Sequence, residues 1–182
     1  MKVIIIGGDA AGMSAAMEIV RNKEDAKILV LERGDIYSYG QCGLPYIVDG
    51  RIRSTDSLIA REISVFQDKY GIDARIFHEV TNIDTGAQIV RGRHLKTGER
   101  FEFQYDKLLI ATGASPKIPG WRNRELKGIH TVKSIPQMEY LMKDLERVQY
   151  VTVIGGGYIG LEMVEVLKER GLSVRLFHLN SL

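Results

Sequence analysis

Residues 2–12, KVIIIGGDAAG, decide the fold of this chain. The KVIII run is almost continuously apolar, which predicts a parallel strand buried on both faces. A glycine-rich turn follows, residues 13–22 are predicted as a helix, and residues 27–31 (KILVL) form a second apolar strand that ends at Glu32. Strand, glycine turn, helix and strand within about thirty residues predict a right-handed βαβ unit.

The glycine turn has the composition of a nucleotide site. In such turns the first glycine permits the tight turn, the second lets the backbone approach a pyrophosphate, and the third lets the helix pack on the strand. The phosphates then face the N–H groups at the helix start. Here Gly7 and Gly12 are present, but Asp9 takes the middle position, where a carboxylate is unfavourable unless it points away. Glu32 ends the next strand, where an acid hydrogen-bonds a ribose. These features predict nucleotide binding; the alternative is a structural turn.

The same pattern returns near the end of the chain. Residues 150–154 (YVTVI) are predicted as a strand, residues 155–160 (GGGYIG) as a glycine turn, residues 161–170 as a helix and residues 174–177 as a strand. We interpret the similarity as an internal repeat, which predicts two dinucleotide sites on one chain.

The second turn differs from the first at the middle glycine and at the end of the strand that follows. It has all three glycines, Gly155, Gly157 and Gly160, and its strand ends at His178 rather than at an acid. Loss of the carboxylate removes the group that favours NAD and repels a 2′-phosphate. Either His178 or Arg175 would then be available to a 2′-phosphate, which favours NADPH slightly. The alternative is an ordinary histidine at a strand end.

The region between the two units mixes helix and strand signals. Residues 61–70 are the clearest helical segment after the first unit, and residues 72–105 alternate like β-strands (DARIF, VTNID, AQIVRGRHL and RFEFQY). This alternation predicts a small antiparallel meander. A buried strand over residues 107–111 runs into ATGASP, and a helix is predicted near residues 137–147.

Composition excludes several classes of partner. The chain is 45% hydrophobic and 26% charged, with a formal net charge of +2 that is spread along the chain, so no nucleic-acid arm is predicted. No apolar run is long enough to span a bilayer, and the short apolar opening is unlike a signal peptide. We therefore expect a cytoplasmic protein without a membrane partner and without a metal site. The one cysteine, Cys42, excludes an internal disulfide framework and is either a buried small residue or a reactive thiol.

Several motifs in order make the chain resemble the pyridine nucleotide-disulfide oxidoreductases. They are IIIGGDAAGMSAA, LVLERG, SYGQCGLPY, YDKLLIATGASP and VTVIGGGYIGLE. The resemblance implies an α/β, FAD/NAD(P)-binding Rossmann-like fold, with a parallel sheet and an antiparallel β-meander. It also implies a truncated chain, with the first part of an FAD-binding domain at 1–112, a connection and helix at 113–149, and the start of an NAD(P)H-binding domain at 150–182. The full-length protein is expected to be a homodimer.

The resemblance also implies which residues bind the cofactors. FAD is expected at the first turn, the first strand end and the ATG segment, which comprise Gly7, Gly8, Asp9, Ala10, Ala11, Gly12, Glu32, Arg33, Ala111, Thr112 and Gly113. NAD(P)H is expected at the second turn, at Gly155, Gly157, Tyr158, Ile159, Gly160 and His178.

Cys42 decides the branch of the family. Members of the glutathione-reductase type carry two cysteines on this stretch, whereas the single cysteine and the CGLPY string most resemble coenzyme A-disulfide reductases. The resemblance therefore implies that hydride passes from NAD(P)H through FAD to Cys42, which reduces coenzyme A disulfide or a related disulfide or polysulfide. A helix start with Pro45 in its first turn would stabilise the thiolate. The alternatives are an NADH oxidase or peroxidase that uses a Cys42 sulfenic acid, and a nucleotide-binding module without activity.

Four further residues match substrate positions in the family. Ser38 and Gln41 match positions near the substrate thiol, and Ser14 and Arg21 match helix positions that contact coenzyme A. Arg21 would pair with a coenzyme A phosphate, although Glu18 on the same helix face has the wrong charge. Without the family, Arg21 would be interpreted as a solvated surface residue.

Overall fold

A computed structural model describes residues 1–22 and 25–179 of the chain. The chain divides into two compact units. The first comprises Met1–Tyr39 and Ile59–Ala114, and the second comprises Gly40–Leu58 and Ser115–Leu182. The domain boundaries predicted from the sequence stay predictions, and the end of the predicted second domain, residues 180–182, lies outside the described residues.

The first unit contains a four-stranded parallel sheet and a three-stranded antiparallel sheet. The parallel sheet has the order β3-β2-β1-β7, and the antiparallel sheet has the order β4-β5-β6. The elements are β1 (Lys2–Ile6), α1 (Ala10–Asn22), β2 (Lys27–Leu31), β3 (Asp73–Arg75), β4 (His78–Asp84), β5 (Ile89–His94), β6 (Arg100–Gln104) and β7 (Lys107–Ile110). The predicted α/β class, with a parallel sheet and an antiparallel meander, is confirmed.

The parallel sheet is covered on both faces, which explains the continuous apolar run of β1. Val3 and Ile5 belong to a buried cluster that includes Met13 of α1, whereas Ile4 and Ile6 belong to a second cluster that includes residues of the meander. Because successive side chains of a strand point to opposite faces, both alternating sets of β1 must be apolar. The sheet is therefore the middle layer between a helix and a meander.

Two predictions about the middle of the chain need correction. The DARIF segment does not join the meander: β3 pairs with β2 in parallel, with Leu29 opposite Asp73. A strand of three residues is too short for its periodicity to identify its partner. The helix predicted over residues 61–70 is reduced to one π-helical segment, Val65–Lys69, which buries Phe66.

The second unit is built around a second βαβ. β8 (Tyr150–Ile154) and β9 (Ser173–Phe177) pair in parallel, and α4 (Tyr158–Glu169) connects them. The remaining elements are a 3₁₀ helix (Gln41–Gly43), α2 (Pro45–Val48), a second 3₁₀ helix (Thr55–Leu58) and α3 (Ile135–Leu145).

The helices begin earlier than their apolar periodicity predicts. α1 begins at Ala10 and α4 at Tyr158, three residues before the predicted starts, because each helix starts inside its glycine turn. α3 begins at Ile135 after the cap Ser134, and Pro136 lies in its first turn, where proline removes no helical hydrogen bond. The glycine turns thus lead directly into helix N-termini.

Candidate functional site: two glycine turns and an exposed cysteine

The first glycine turn requires glycine at both of its ends. Gly7 has a φ of +109°, and a Cβ on it would lie 2.2 Å from the carbonyl oxygen of Ala111. A Cβ on Gly12 would lie 1.9 Å from the carbonyl oxygen of Gly7. The first glycine therefore allows both the turn and the approach of the ATG segment, and the last allows α1 to pack closely on the strand.

The ATG segment continues β7 beside this turn. The N–H of Ala111 donates to the carbonyl oxygen of Ile6 at 2.8 Å, so the pairing of β7 with β1 extends to the start of the motif. Gly113 has a φ of +65°, which favours glycine. Ala111, Thr112 and Gly113 thus follow the carboxyl end of a strand next to the glycine turn, the edge where α/β sheets bind ligands.

Glu32 is held by the backbone on both sides of its strand end. Its Oε2 accepts a hydrogen bond from the N–H of Gly8 at 2.8 Å, and its Oε1 accepts one from the N–H of Gly34 at 2.7 Å. A carboxylate offers about four acceptor sites, so two remain for the hydroxyl groups of a ribose. The residue that the sequence placed at the ribose is therefore fixed in orientation and retains acceptor capacity.

Tyr37 supports the turn from below and was not identified from the sequence. A Cβ on Gly8 would lie 2.4 Å from the Tyr37 ring, and the Tyr37 hydroxyl lies 3.0 Å from the carbonyl oxygen of Val30 and 2.9 Å from that of Arg75. Burial raises the pKa of Tyr37 far above its usual range, and the Glu32 carboxylate raises it further. The apolar ring and its buried hydroxyl explain why Gly8 cannot carry a side chain.

Asp9 turns its carboxylate towards a neighbouring segment. Its Oδ1 accepts a hydrogen bond from the N–H of Tyr39 at 3.1 Å, so one carboxylate oxygen is directed to the backbone of residues 38–39. Beyond Asp9, Ala10 and Ala11 are exposed residues at the start of α1, where the first N–H groups have no intrahelical acceptor. An aspartate at this position is therefore compatible with an anion at the helix N-terminus.

The second glycine turn repeats this geometry. Gly155 has a φ of +108°, and a Cβ on Gly160 would lie 1.8 Å from the carbonyl oxygen of Gly155. The N–H of Gly156 donates to Nδ1 of His178 at 3.0 Å, the interaction that Glu32 makes in the first turn. Within residues 1–22 and 25–179, no atom beyond its chain neighbours and its own helix backbone lies within 4 Å of the place that a Cβ on Gly157 would take, and Tyr158 and Ile159 are exposed at the start of α4. The turn is open where a pyrophosphate would approach.

Cys42 is exposed in the 3₁₀ helix that precedes α2. Leu44 is the N-cap of α2 and Pro45 its first residue, so the predicted helix start is present, although the helix spans only four residues. A helix of one turn has a small macrodipole. A Cβ on Gly43 would lie 2.4 Å from a Leu58 methyl group, so the residue after the cysteine must be small.

Polar contacts within the second unit hold the segment that carries Cys42. Lys133 Nζ donates a hydrogen bond to Oε1 of Gln41, the residue before the cysteine. Arg170 donates to the carbonyl oxygen of Val48, the last residue of α2, at 2.9 Å. Sequence reasoning missed Lys133 and Arg170, because nothing in the local pattern connects them with a cysteine so far along the chain.

Of the predicted substrate residues, Ser14, Arg21 and Ser38 belong to the first unit and Gln41 belongs to the second. Ser14 and Arg21 are exposed on α1, and Arg21 forms an ion pair with Glu18 at 3.2 Å in which both side chains are largely exposed. Such pairs are weak, so the guanidinium can exchange Glu18 for another anion. Ser38 has a φ of +49°, and Arg33 is exposed beside Glu32. Gln41 shares its 3₁₀ helix with Cys42.

Within residues 1–22 and 25–179, no helix combines the length and apolarity needed to cross a membrane. The same residues contain no group of three or more His, Cys, Asp and Glu side chains placed to hold a metal ion.

Three known proteins illustrate what the chain is similar to. It is 41% identical, over 96% of its length, to the CoA-dependent NAD(P)H sulfur oxidoreductase of Pyrococcus abyssi, of which it covers 38%. It is 30% identical, over 97% of its length, to the coenzyme A disulfide reductase of Staphylococcus haemolyticus, of which it covers 40%. The water-forming NADH oxidase of Lactobacillus brevis, solved with NADH bound, superposes with a TM-score of 0.93 at 29% identity over 97% of this chain and 39% of that one.

The chain thus spans about two fifths of the length of these proteins. The family model described as pyridine nucleotide-disulphide oxidoreductase matches residues 1–181. That match takes in both glycine turns, the ATG segment and Cys42. The chain belongs to the pyridine nucleotide-disulphide oxidoreductase family.

Proposed function

We propose that this chain is the front part of an FAD-dependent NAD(P)H disulfide reductase whose redox residue is Cys42. The observation that carries the proposal is the pair of glycine turns of matching geometry in one chain, with an exposed cysteine in the segment between them. One dinucleotide site would suffice for a simple flavoprotein or dehydrogenase, whereas two sites and a thiol are what a hydride-to-disulfide reaction needs.

The first turn is the proposed FAD site. The space that a Cβ on Gly8 or Gly12 would fill is already occupied by protein, so the backbone rather than side chains forms the surface that a pyrophosphate would meet. Glu32 has acceptor sites left for a ribose. The residues assigned to FAD are Gly7, Gly8, Asp9, Ala10, Ala11, Gly12, Glu32, Arg33, Ala111, Thr112 and Gly113.

The second turn is the proposed NAD(P)H site, formed by Gly155, Gly157, Tyr158, Ile159, Gly160 and His178. Because Nδ1 of His178 accepts a hydrogen bond from the Gly156 N–H, Nε2 is the ring nitrogen left to donate. The side chain then offers a donor where an acid would repel a 2′-phosphate. This supports use of NADPH as well as NADH, with NADPH slightly preferred.

Bound FAD and NAD(P)H would supply hydride transfer and the two electrons for the disulfide. The protein's own contribution begins at Cys42, whose thiolate attacks one sulfur of coenzyme A disulfide. A Cys42–coenzyme A disulfide forms and one coenzyme A thiolate leaves. Two electrons and a proton then cleave the mixed disulfide, which releases the second coenzyme A thiol and restores the Cys42 thiolate.

Coenzyme A disulfide, or a related small disulfide or polysulfide, is the proposed substrate class. The printed names of the Pyrococcus abyssi and Staphylococcus haemolyticus relatives, a CoA-dependent sulfur oxidoreductase and a coenzyme A disulfide reductase, support it. The residues assigned to the substrate from the family are Ser14, Arg21, Ser38 and Gln41, and a phosphate of coenzyme A would pair with the Arg21 guanidinium.

An anaerobic titration of the full-length protein tests the proposal. We expect NADPH or NADH to reduce a bound flavin, and coenzyme A disulfide or polysulfide to reoxidise it in many turnovers. Cys42→Ser should still bind FAD and accept hydride, since neither step needs sulfur, but should lose disulfide reduction almost wholly. A Cys42→Ser variant with wild-type disulfide turnover would contradict the assignment.

An NADH oxidase or peroxidase is the second candidate function. The exposure of Cys42 and the likeness to the Lactobacillus brevis oxidase favour it, because an accessible thiolate can be oxidised to a sulfenic acid by peroxide. Intact-protein mass spectrometry of the oxidised protein separates the two functions. A coenzyme A adduct on Cys42 supports the reductase, and an added oxygen trapped by a sulfenic-acid reagent supports the oxidase.

The third candidate, a nucleotide-binding module without activity, is tested by colour. A yellow purified protein that NADPH bleaches excludes it, and a colourless protein that binds dinucleotides supports it.

The proposed assembly is a homodimer in the cytoplasm, with no nucleic-acid or membrane partner. Light scattering of the full-length protein measures its mass. The domain boundaries proposed from the family are 1–112, 113–149 and 150–182.

A further inference from the structure

Asp9 is the residue of the first turn that the nucleotide-binding pattern does not explain. It lies two positions after the positive-φ glycine, as Gly157 does in the second turn. Among the described residues, no atom beyond the chain neighbours of Gly157 and the backbone of its own helix lies within 4 Å of the place that a Cβ would take there. In the second turn this position is therefore open to a side chain.

Two consecutive hydrogen bonds join the turn to the segment at residues 38–39. The N–H of Ser38 donates to the carbonyl oxygen of Gly8 at 3.0 Å, and the N–H of Tyr39 donates to Oδ1 of Asp9 at 3.1 Å. The first bond uses backbone atoms that any residue would provide. The second exists only because residue 9 has a side-chain acceptor.

The 38–39 segment has a conformation that must be held in place. Ser38 has a φ of +49°, a region that costs a non-glycine residue energy and persists where surrounding contacts hold it. The carbonyl oxygen of Ser38 accepts from the N–H of Ala60 at 2.8 Å, and Tyr39 forms an antiparallel bridge with Ile59. The Asp9 carboxylate thus completes a set of contacts from both sides of a strained residue.

We propose that Asp9 is a positioning residue for FAD, which locks residues 38–39 against the glycine turn and so holds the turn ready for the pyrophosphate. The inference rests on the proposed FAD site. It reverses the expectation from charge alone, in which a carboxylate near a pyrophosphate weakens binding. A hydrogen bond from a backbone N–H to a charged acceptor is among the stronger ones.

Three substitutions separate the effect of the hydrogen bond between Asp9 and the Tyr39 N–H from the effect of the negative charge on Asp9. Asp9→Gly restores the glycine of the usual pattern and removes the negative charge, Asp9→Ala removes the acceptor with less gain of backbone freedom, and Asp9→Asn keeps Oδ1 without the charge. FAD is titrated into the full-length apoprotein and its fluorescence is followed. We expect the glycine and alanine variants to bind FAD about tenfold more weakly and the asparagine variant to stay within about threefold of wild type. Asp68→Ala, which removes an exposed carboxylate of the π-helix in the same unit, is the matched control and should leave binding unchanged.

Amide hydrogen exchange gives a second reading that does not depend on FAD. In the apoprotein, the Tyr39 amide should exchange about tenfold faster in Asp9→Ala than in wild type, and Asp9→Asn should restore its protection. The far-ultraviolet circular dichroism spectrum shows whether each variant is folded. If Asp9→Ala does not fold, the comparison of Asp9→Asn with wild type still tests whether the oxygen acceptor is sufficient.

The outcomes distinguish this inference from the proposed function. A wild-type apoprotein that does not bind FAD overturns the FAD site itself. If wild type binds FAD and the alanine and glycine variants bind it equally well or more tightly, the positioning role of Asp9 is wrong, and repulsion by the Asp9 carboxylate outweighs its hydrogen bond to Tyr39. An asparagine variant as weak as the alanine variant also overturns the lock, because the oxygen acceptor would then not be what matters.

Discussion

The two glycine turns have almost the same backbone but different surroundings. Gly7 and Gly155 have φ values of +109° and +108°, and in each turn a Cβ on the last glycine would lie within 2 Å of the carbonyl oxygen of the first. The second glycine donates to Glu32 in one turn and to His178 in the other. The difference shows that the two turns share a backbone conformation and differ in the side chain that accepts from the second glycine. We propose that the shared backbone meets the pyrophosphate and that the differing side chains select the dinucleotide.

The ring that packs against the second glycine gives the largest expected difference between the turns, which is in the free energy of unfolding. A Cβ on Gly8 would meet the buried Tyr37 ring at 2.4 Å, whereas a Cβ on Gly156 would meet the His178 ring at 3.1 Å. We expect Gly8→Ala to lower the free energy of unfolding by about 3 kcal/mol because the ring cannot move aside. Gly156→Ala, the matched control, should cost less than about 1 kcal/mol. Thermal and urea unfolding measure the loss of stability in both variants. Equal losses would contradict the claim that the two turns differ in the packing around the second glycine.

Glu32, the acceptor at the end of β2, gives the next largest expected effect, which is on FAD retention. Glu32→Ala leaves the N–H groups of Gly8 and Gly34 without their side-chain acceptor and removes the proposed ribose ligand. We expect FAD retention to fall about thirtyfold, measured by flavin release during dialysis. Glu32→Gln keeps one oxygen acceptor and should show an intermediate loss. Unchanged retention in Glu32→Ala would remove the assignment of Glu32 to FAD.

Replacing His178 with an acidic residue tests whether the second turn prefers NADPH or NADH. His178→Glu would give the second turn the acid of the first, and its charge would repel a 2′-phosphate. We expect the Kd for NADPH to rise about tenfold while that for NADH changes little. His178→Gln, which keeps a neutral acceptor for the Gly156 N–H, should leave the preference unaltered. Equal effects of the two substitutions on NADPH would mean that charge at this position does not select the nucleotide.

Tyr37 gives the first turn a dependence on alkaline pH. Burial raises the pKa of its phenol above the ordinary value, so the folded state keeps the proton at pH values where the unfolded state loses it. Stability from this group is therefore fully present below about pH 10 and is lost as the pH rises further. Tyr37→Phe should cost about 1 kcal/mol at neutral pH and should flatten the loss above pH 10. The same slope in both proteins, followed by urea unfolding, would contradict the role of Tyr37.

The local pattern was sufficient for the units but not for their boundaries and pairings. The apolar runs KVIII and YVTVI and their glycine turns predicted both βαβ units, because apolar parallel strands and tight turns have strong local requirements. The first run is buried as predicted, whereas alternate residues of the second are exposed. DARIF was assigned to the meander and lies in the parallel sheet as β3. Its partner is chosen by long-range packing, which a segment of three strand residues does not encode.

The candidate site divides in the same way. Gly7, Gly12, Gly155 and Gly160 were predictable, since their positions follow from steric rules that act within one turn. The orientation of Asp9 was not, because its acceptor role depends on the N–H of Tyr39, thirty residues away in sequence. Lys133 was missed for the same reason, since it reaches Gln41 across 92 residues.

By itself, the sequence determined that this protein has two dinucleotide-type turns and a single cysteine between them. Those features depend on backbone conformations that only glycine tolerates and on residue identities that need no partner. Only the tertiary structure decided that Tyr37 fills the space beneath Gly8, that Glu32 and His178 perform the same backbone contact, and that Asp9 faces residues 38–39. Each of these is a contact between segments far apart in the chain, and its geometry exists only once the core has brought those segments together.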